Sequence, residues 1–322
     1  MMTNLTCDVA IIGAGTAGLA AERSARRNGA KTLLIDEGFG GTTCASVGCM
    51  PSKLLIAAGN AMHAVDQAKV FGVDASAKVD GIAVMARVRK ERDAFVAGVE
   101  KSIDKLPNEV KIEARAKFAG ATILALSDGR QVHAKSVVIA TGSSPAIPDM
   151  FDVVRGRVLT NESIFELKDL PGSIGVIGAG ALGLELAQAM ARLGVETMVF
   201  DMGETIGGLK DPHVAEAYHA ILSREMPILL GVELKAEPEG GGVALSGRVR
   251  SRAASASTIC SSRRAGHRGS RTSGSRRPGS RSMSTGCPTM ILTRCNVAAR
   301  RSSSRAMRIT IARYCTRRRR RA

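Results

Sequence analysis

Residues 8–18 read Asp-Val-Ala-Ile-Ile-Gly-Ala-Gly-Thr-Ala-Gly, and this stretch decides the fold. The residues before Gly13 are apolar enough for a buried parallel strand, and 19–28 continue as a helix that Gly29 breaks. A second apolar strand follows over 31–35, with Asp36 at its end. Together these segments make one complete βαβ unit. In such a unit Gly13 permits the tight turn, Gly15 lets an anionic group approach the backbone, and Gly18 lets helix and strand pack closely. The anion then sits against the unpaired N–H groups at the N-terminus of that helix.

The pattern returns downstream. Residues 174–177 supply the strand, Gly178-Ala-Gly180-Ala181-Leu182-Gly183 the turn, 184–193 the helix and 197–200 the second strand, ending at Asp201. First glycine and acid stand 23 residues apart in both copies. A lone G-x-G-x-x-G is weak evidence, whereas two equally spaced copies with both strands, helix and acid are strong. The fold class expected is α/β, with two Rossmann-like dinucleotide-binding domains. Each terminal carboxylate can accept hydrogen bonds from ribose hydroxyls and repels a 2′-phosphate. At Asp201 the neighbours Met202, Gly203 and Glu204 include no Arg, which points to NAD rather than NADP there.

Charge divides the chain. The 322 residues carry +17, but residues 1–247 carry −4, while 248–322 hold 21 Arg and no Lys, Asp or Glu. A nucleic-acid role for that tail is disfavoured, because evolved basic arms mix Lys with Arg. Arg, Ser and Ala without Lys is what a GC-rich gene yields out of frame, so a frameshift near 240–250 is expected. The domains read as 1–149, 150–247 and the tail 248–322. Residues 9–21 are not a signal peptide, since Asp8 precedes them and three glycines interrupt them. With no apolar run of about 18 residues, no membrane span is expected and a cytoplasmic location follows by default.

Seven cysteines are spaced too irregularly for a secreted framework or a zinc ribbon, and no metal site is assigned. Only Cys44 and Cys49 form a close pair, within Gly-Gly-Thr42-Thr43-Cys44-Ala-Ser-Val-Gly-Cys49-Met-Pro-Ser-Lys53. Five residues of ideal helix span about 7.5 Å, beyond disulfide reach, so the segment must be distorted for these sulfurs to bond. Gly48 supplies the freedom and Pro51 opens the helix that continues to Ala68. An accessible disulfide of this kind, beside a nucleotide fold, suits catalysis better than structure.

These motifs, with Ala-Thr141-Gly142 and Gly-Ala-Gly-Ala-Leu-Gly-Leu-Glu185, resemble the pyridine-nucleotide disulfide oxidoreductases over about residues 7–247, and within them the dihydrolipoyl dehydrogenase branch. Ser46 departs from that branch, where Asn is frequent. The resemblance implies Cys44 as the interchange thiol, Cys49 as the thiol beside a flavin, and Lys53 near the flavin with Glu185 as its partner. It implies FAD contacts from Gly13, Gly15, Thr16, Gly18, Asp36, Glu37, Thr42, Thr43, Lys53, the Ala116 backbone, Thr141 and Gly142. NAD contacts fall to Gly178, Gly180, Ala181, Leu182, Gly183 and Asp201. The implied reaction is oxidation of dihydrolipoamide or another small dithiol by NAD, in a homodimer. The family's dimerisation domain and its His–Glu pair lie beyond what this sequence matches. His267 has no acid after it, so no general base is assigned and impaired turnover is expected. Alternatives are a mercuric or glutathione-type reductase, although extra cysteine pairs are absent, or a non-catalytic nucleotide-binding fragment with a basic nucleic-acid-binding tail.

Elsewhere, Val88, Phe95, Val99, Ile103 and Leu106 recur at helical spacing, with Arg87, Arg89, Lys90, Arg92 and Asp93 on what reads as a solvated face. Residues 111–126 alternate as antiparallel strands, and His63, His133, His213 and His219 read as edge histidines rather than ligands.

Overall fold

The computed structural model describes residues 4–239 and 242–249, and beyond them three short strands at 290–294, 308–309 and 311–312. The first βαβ unit forms as read: β1 (Asn4–Ile12), α1 (Thr16–Arg27) and β2 (Thr32–Asp36). β1 starts four residues earlier than its apolar run, because its first half is paired in parallel with a later strand, from Asn4 opposite Gln131 to Ile12 opposite Ile139. Two helices follow, α2 (Thr43–Ser46) and α3 (Cys49–Gln67), and then α4 (Gly81–Asp104), which Asp80 caps by accepting the Ala83 N–H at 3.0 Å. The sheet is completed by β3 (Lys111–Glu113), β4 (Ala116–Phe118), β5 (Ile123–Leu126) and β6 (Gln131–Ile139), in the order β3-β2-β1-β6-β5-β4.

Two sequence expectations need correction here. The antiparallel pairings are β4 with β5 and β5 with β6; β3 lies parallel to β2, because the chain returns to it through the long helical crossover. The charged face of α4 is also not simply solvated. Arg89 donates to the Leu167 carbonyl, and Arg92, only 12% exposed, is paired with Glu166 and Asp93. Both arginines pin the later chain, a role that helical spacing cannot reveal.

The second unit comprises β7 (Val158–Leu159), β8 (Ser173–Ile177), α5 (Ala181–Arg192), β9 (Glu196–Phe200), α6 (Pro212–Leu222) and β10 (Ile228–Leu229), followed by the hairpin β11 (Val232–Glu239) and β12 (Gly242–Val249). β8, β9 and β10 are parallel, as β1 and β2 are. Packing crosses the boundary expected at 149/150. Leu55 of α3 and Met85 and Val88 of α4 share one core with Ile174, Val176, Leu186 and Met190. α3 also crosses α5 so closely that a Cβ on Gly59 would sit 3.0 Å from the Ala189 carbonyl oxygen. Of the three short strands of the tail, 290–294 pairs with 308–309 and with β7 and β8, and 311–312 pairs with β7 and β8. The rest of 248–322, read as an out-of-frame or disordered segment, lies outside the described residues, as does His267.

Arg192, at the end of α5, ties these layers together. It forms a two-point ion pair with Glu225 (2.6 and 2.8 Å) and donates to Asn60 of α3 at 2.6 Å. Hydrogen bonding from Arg192 is the main reason the Glu225 carboxyl lies below its ordinary value of 4.5. A lowered carboxyl stabilises the fold above the unfolded value and loses that contribution as pH falls through the folded one. Glu225→Gln should therefore lower the thermal midpoint at pH 7 and flatten its decline below pH 4.5; an unchanged acid limb in a pH series of melts would refute the assignment.

Candidate functional site

The two glycine turns are built alike. The Gly13 N–H donates to the Ile35 carbonyl at 2.7 Å, and the Gly178 N–H to the Phe200 carbonyl at 2.7 Å. Both glycines have positive φ, +102° and +116°, which a side chain would resist. The third glycines press on the first: a Cβ on Gly18 would collide with the Gly13 carbonyl, and one on Gly183 with the Gly178 carbonyl. At Gly15 a Cβ would meet nothing within 4 Å, so this backbone faces open space next to the N-terminus of α1. That is the accessibility a diphosphate needs.

Asp36 and Asp201 do more than end their strands. Asp36 Oδ2 accepts the Ala14 N–H at 2.7 Å while Oδ1 accepts from Gly38 and Phe39. Asp201 repeats this with Ala179 at 2.6 Å and Gly203 at 2.6 Å. Each carboxylate ties the glycine turn to the end of the second strand. Beside Asp36 opens a cleft of about 420 Å³, lined by Ile12, Gly13, Ile35, Asp36, Glu37, Ala114, Arg115, Ala116 and Thr141. Five residues of this lining, Gly13, Asp36, Glu37, Ala116 and Thr141, were expected from the sequence. Arg115 was not; it pairs with Glu37 at 3.5 Å across the rim, and only its place before Ala116 could have flagged it. Gly142 follows Thr141 with φ +67°.

The cysteine segment is distorted as the spacing required. Thr42 caps α2 by accepting the Ala45 N–H, and Thr43 and Cys44 are the first two residues of that short helix. The chain then breaks at Val47 and Gly48, and α3 begins at Cys49, two residues before Pro51. Pro51 is tolerated because its missing N–H would have had no intrahelical partner there. Gly48 allows the fold-back, since a Cβ on it would stand 2.8 Å from the Thr43 carbonyl oxygen. Both cysteines are free thiols, and they meet: hydrogen bonding with Cys49 is the largest cause raising the Cys44 pKa, followed by burial. Cys49 is exposed and Cys44 half-buried, the reverse of the exposure order that an outward-facing Cys44 implies. Cys49 occupies the positive end of a 19-residue helix, a position that favours negative charge.

One turn along α3, Lys53 Nζ lies 2.8 Å from Glu185 Oε2. Glu185 is the fifth residue of α5, because that helix begins at Ala181 and not at 184 as the glycine turn suggested. The pair joins the two units. With the side chains 60% and 45% exposed, it contributes at most about 1 kcal/mol to stability. Lys53→Met should then leave the melting midpoint within a few degrees; a large loss in thermal denaturation would mark the pair as structural. The sequence reading missed two further neighbours. Tyr218 of α6 has its pKa raised by burial and, secondarily, by the Glu185 charge. The Asn161 amide donates to the Val47 carbonyl between the cysteines.

Comparison with known proteins gives the family. The family model described as pyridine nucleotide-disulphide oxidoreductase matches residues 7–258. Dihydrolipoyl dehydrogenase 3 of Pseudomonas aeruginosa is 34% identical over 259 residues, covering 73% of this chain and 54% of that protein. Mercuric reductase of Staphylococcus aureus is 31% identical over 239 residues, covering 73% and 43%. The chain spans about half the length of the curated relatives it matches. A solved HOCl-induced flavoprotein disulfide reductase, RclA of Escherichia coli, shares the fold with a TM-score of 0.60 at 22% identity, over 74% of this chain and 53% of that one. Among the described residues no helix is long and apolar enough to cross a membrane. With its paired glycine turns and its facing cysteines, the chain belongs to the pyridine nucleotide-disulphide oxidoreductases, a family whose members use FAD and NAD(H).

Proposed function

We propose that the chain carries the cofactor-binding and redox-cysteine parts of an FAD-dependent, NAD-linked enzyme that oxidises a small dithiol, with dihydrolipoamide as substrate. The observation that carries this reading is the meeting of Cys44 and Cys49 at the break before α3, one turn from the Lys53–Glu185 pair. The first site fits FAD: Gly15 and the α1 N-terminus suit its diphosphate, Asp36 its ribose, and the cleft reaching Ala116 its adenine. When bound, FAD would supply a two-electron acceptor for the cysteines. Asp201 and the Gly178–Gly183 turn suit NAD by the same logic.

The exchange itself belongs to the sulfurs. A substrate thiolate attacks Cys44 of the Cys44–Cys49 disulfide and releases the Cys49 thiolate; the second substrate thiolate then resolves the mixed disulfide, leaving an oxidised substrate and two reduced cysteines. Lys53 places a positive charge one turn behind Cys49, held in position by Glu185. Action as a homodimer belongs to the same proposal.

A second reading, mercuric reduction, has support in the 31% identity to the Staphylococcus aureus enzyme. The test is to supply the full chain with FAD and follow NADH formation from dihydrolipoamide, beside NADPH consumption with mercuric ion. Dithiol-dependent NADH formation supports the first reading; mercury-dependent consumption alone replaces it. Failure to take up FAD from solution, read by flavin absorbance after gel filtration, would overturn both.

A further inference from the structure

Arg115 lines the cleft beside Asp36, yet its side chain adds little to the fold. Its Nε lies 3.5 Å from Glu37 Oε1, and with the two side chains 70% and 69% exposed such a pair is too open to water to stabilise much. Among the described residues its guanidinium has no other ionic or hydrogen-bonding partner. The backbone below it is fixed by contrast. The Ala114 N–H donates to the Asp36 carbonyl at 2.9 Å, the Arg115 N–H to Ser127 Oγ at 3.0 Å, and the Ser127 N–H back to the Arg115 carbonyl at 2.9 Å. Ser127 in turn begins the turn between β5 and β6, where Arg130 Nε donates to Asp128 Oδ2 at 2.8 Å. A free guanidinium therefore leaves from a firmly held base at the edge of a cleft.

Its place along the cleft indicates what it would meet. The Gly13 turn and the N-terminus of α1 suit a diphosphate, and Asp36, at the end of β2, suits the ribose. β3 lies parallel to β2 with Glu113 opposite Asp36, so residues 114–116 follow directly past the ribose acid. A nucleotide laid in this direction carries its base to the part of the lining formed by Glu37, Ala114, Arg115 and Ala116. The two alanines are small and leave room for a ring. A guanidinium is planar and weakly hydrated, and it packs flat on aromatic faces, which an ammonium group does less well. A carboxylate pairs with the edge of a guanidinium, so Glu37 can restrain Arg115 without covering its face.

We propose that Arg115 binds the base of the nucleotide in the first cleft, its guanidinium stacked on the adenine, and that Glu37 is the positioning residue that holds it there. This rests on reading the first site as the FAD site. Arg115 then contributes through its plane more than through its charge: it favours a ligand that carries an aromatic base beyond the ribose and gains nothing from a 2′-phosphate. Because its backbone is already fixed, ordering the side chain on the base costs less than it would on a loose loop.

The experiment titrates FAD into the full chain, freed of any bound flavin, and follows flavin fluorescence. ADP and 2′,5′-ADP are measured as competitors of that uptake, so that binding at the second glycine turn is not counted. Arg115→Ala should weaken FAD and ADP about tenfold each. Arg115→Lys keeps the charge and loses the plane, and should lie closer to the alanine variant than to wild type. Glu37→Gln should cost about threefold alone and nothing further when added to Arg115→Ala, whereas a merely structural Glu37 would add its own loss. 2′,5′-ADP should compete no better than ADP. An Arg115→Ala chain within twofold of wild type for both ligands overturns the inference. So does an Arg115→Lys chain that binds as wild type, which would make Arg115 a plain charge for the diphosphate. Tighter binding of 2′,5′-ADP than of ADP that disappears with Arg115 would make it a phosphate ligand and overturn it equally. If wild type takes up no FAD, the reading of the first site fails, and this inference with it.

Discussion

Gly18→Val yields a chain that does not hold the first nucleotide unit together: soluble yield collapses, and no flavin is retained on gel filtration. A Cβ at this position collides with the Gly13 carbonyl and approaches Ile11 Cγ2 at 3.4 Å, so α1 would have to move away from the sheet. Ile11 and Leu34, both fully buried, lie in the core that α1 covers. Overpacking by one group typically costs about 1–3 kcal/mol, and valine adds three carbons against backbone that cannot yield. Against a total stability of about 5–15 kcal/mol, that is a large fraction. The equivalent change at Gly183 should act similarly on the second unit. A Gly18→Val chain that melts within two degrees of wild type would show that the turn is not under the constraint described.

The second large effect concerns the sulfurs. Cys44→Ser and Cys49→Ser should each reduce dithiol-dependent NADH formation by on the order of 10³-fold or more, since exchange requires both a sulfur to be attacked and a sulfur to leave. Serine conserves volume and both sites are at least partly accessible, so melting should change little. The two variants also separate the roles: the single thiol left in each is titrated with a bulky and a small disulfide reagent. If Cys44 is the interchange sulfur, Cys49→Ser retains reaction with the bulky reagent and Cys44→Ser does not. The opposite result would follow the exposure order of the free thiols and reverse the assignment. Turnover within tenfold of wild type in either variant would remove the cysteines from the reaction.

Much of this site was legible because its signals are local. The Gly13 and Gly178 turns, the strand-end aspartates and the paired cysteines each occupy a short window in which spacing maps directly onto geometry. The distortion between Cys44 and Cys49 could be deduced because five helical residues cannot bring two sulfurs together. What escaped was nonlocal. Arg92 looks like any exposed helical arginine until Glu166, 74 residues on, is packed against it. Asn161 stands in a stretch with no motif, and its contact with Val47 spans 114 residues. The direction of β3 was missed because alternation reports a half-buried strand without reporting its partner. The shared core of α3, α4 and α5 was missed because the chain order suggests separate modules.

The aspartates set a limit on how cofactor preference can drift. On the proposed function, the Asp201 carboxylate that would disfavour a 2′-phosphate also holds the Ala179 and Gly203 amides, and so clasps the turn that would receive the diphosphate. Removing its charge to admit NADP also releases the loop on which either nucleotide depends. Asp201→Ala with Met202→Arg would then weaken NAD more than it strengthens NADP, unless another group takes over the two amides. A lineage changing its coenzyme from this starting point would have to re-fasten the turn first and exchange the charge second.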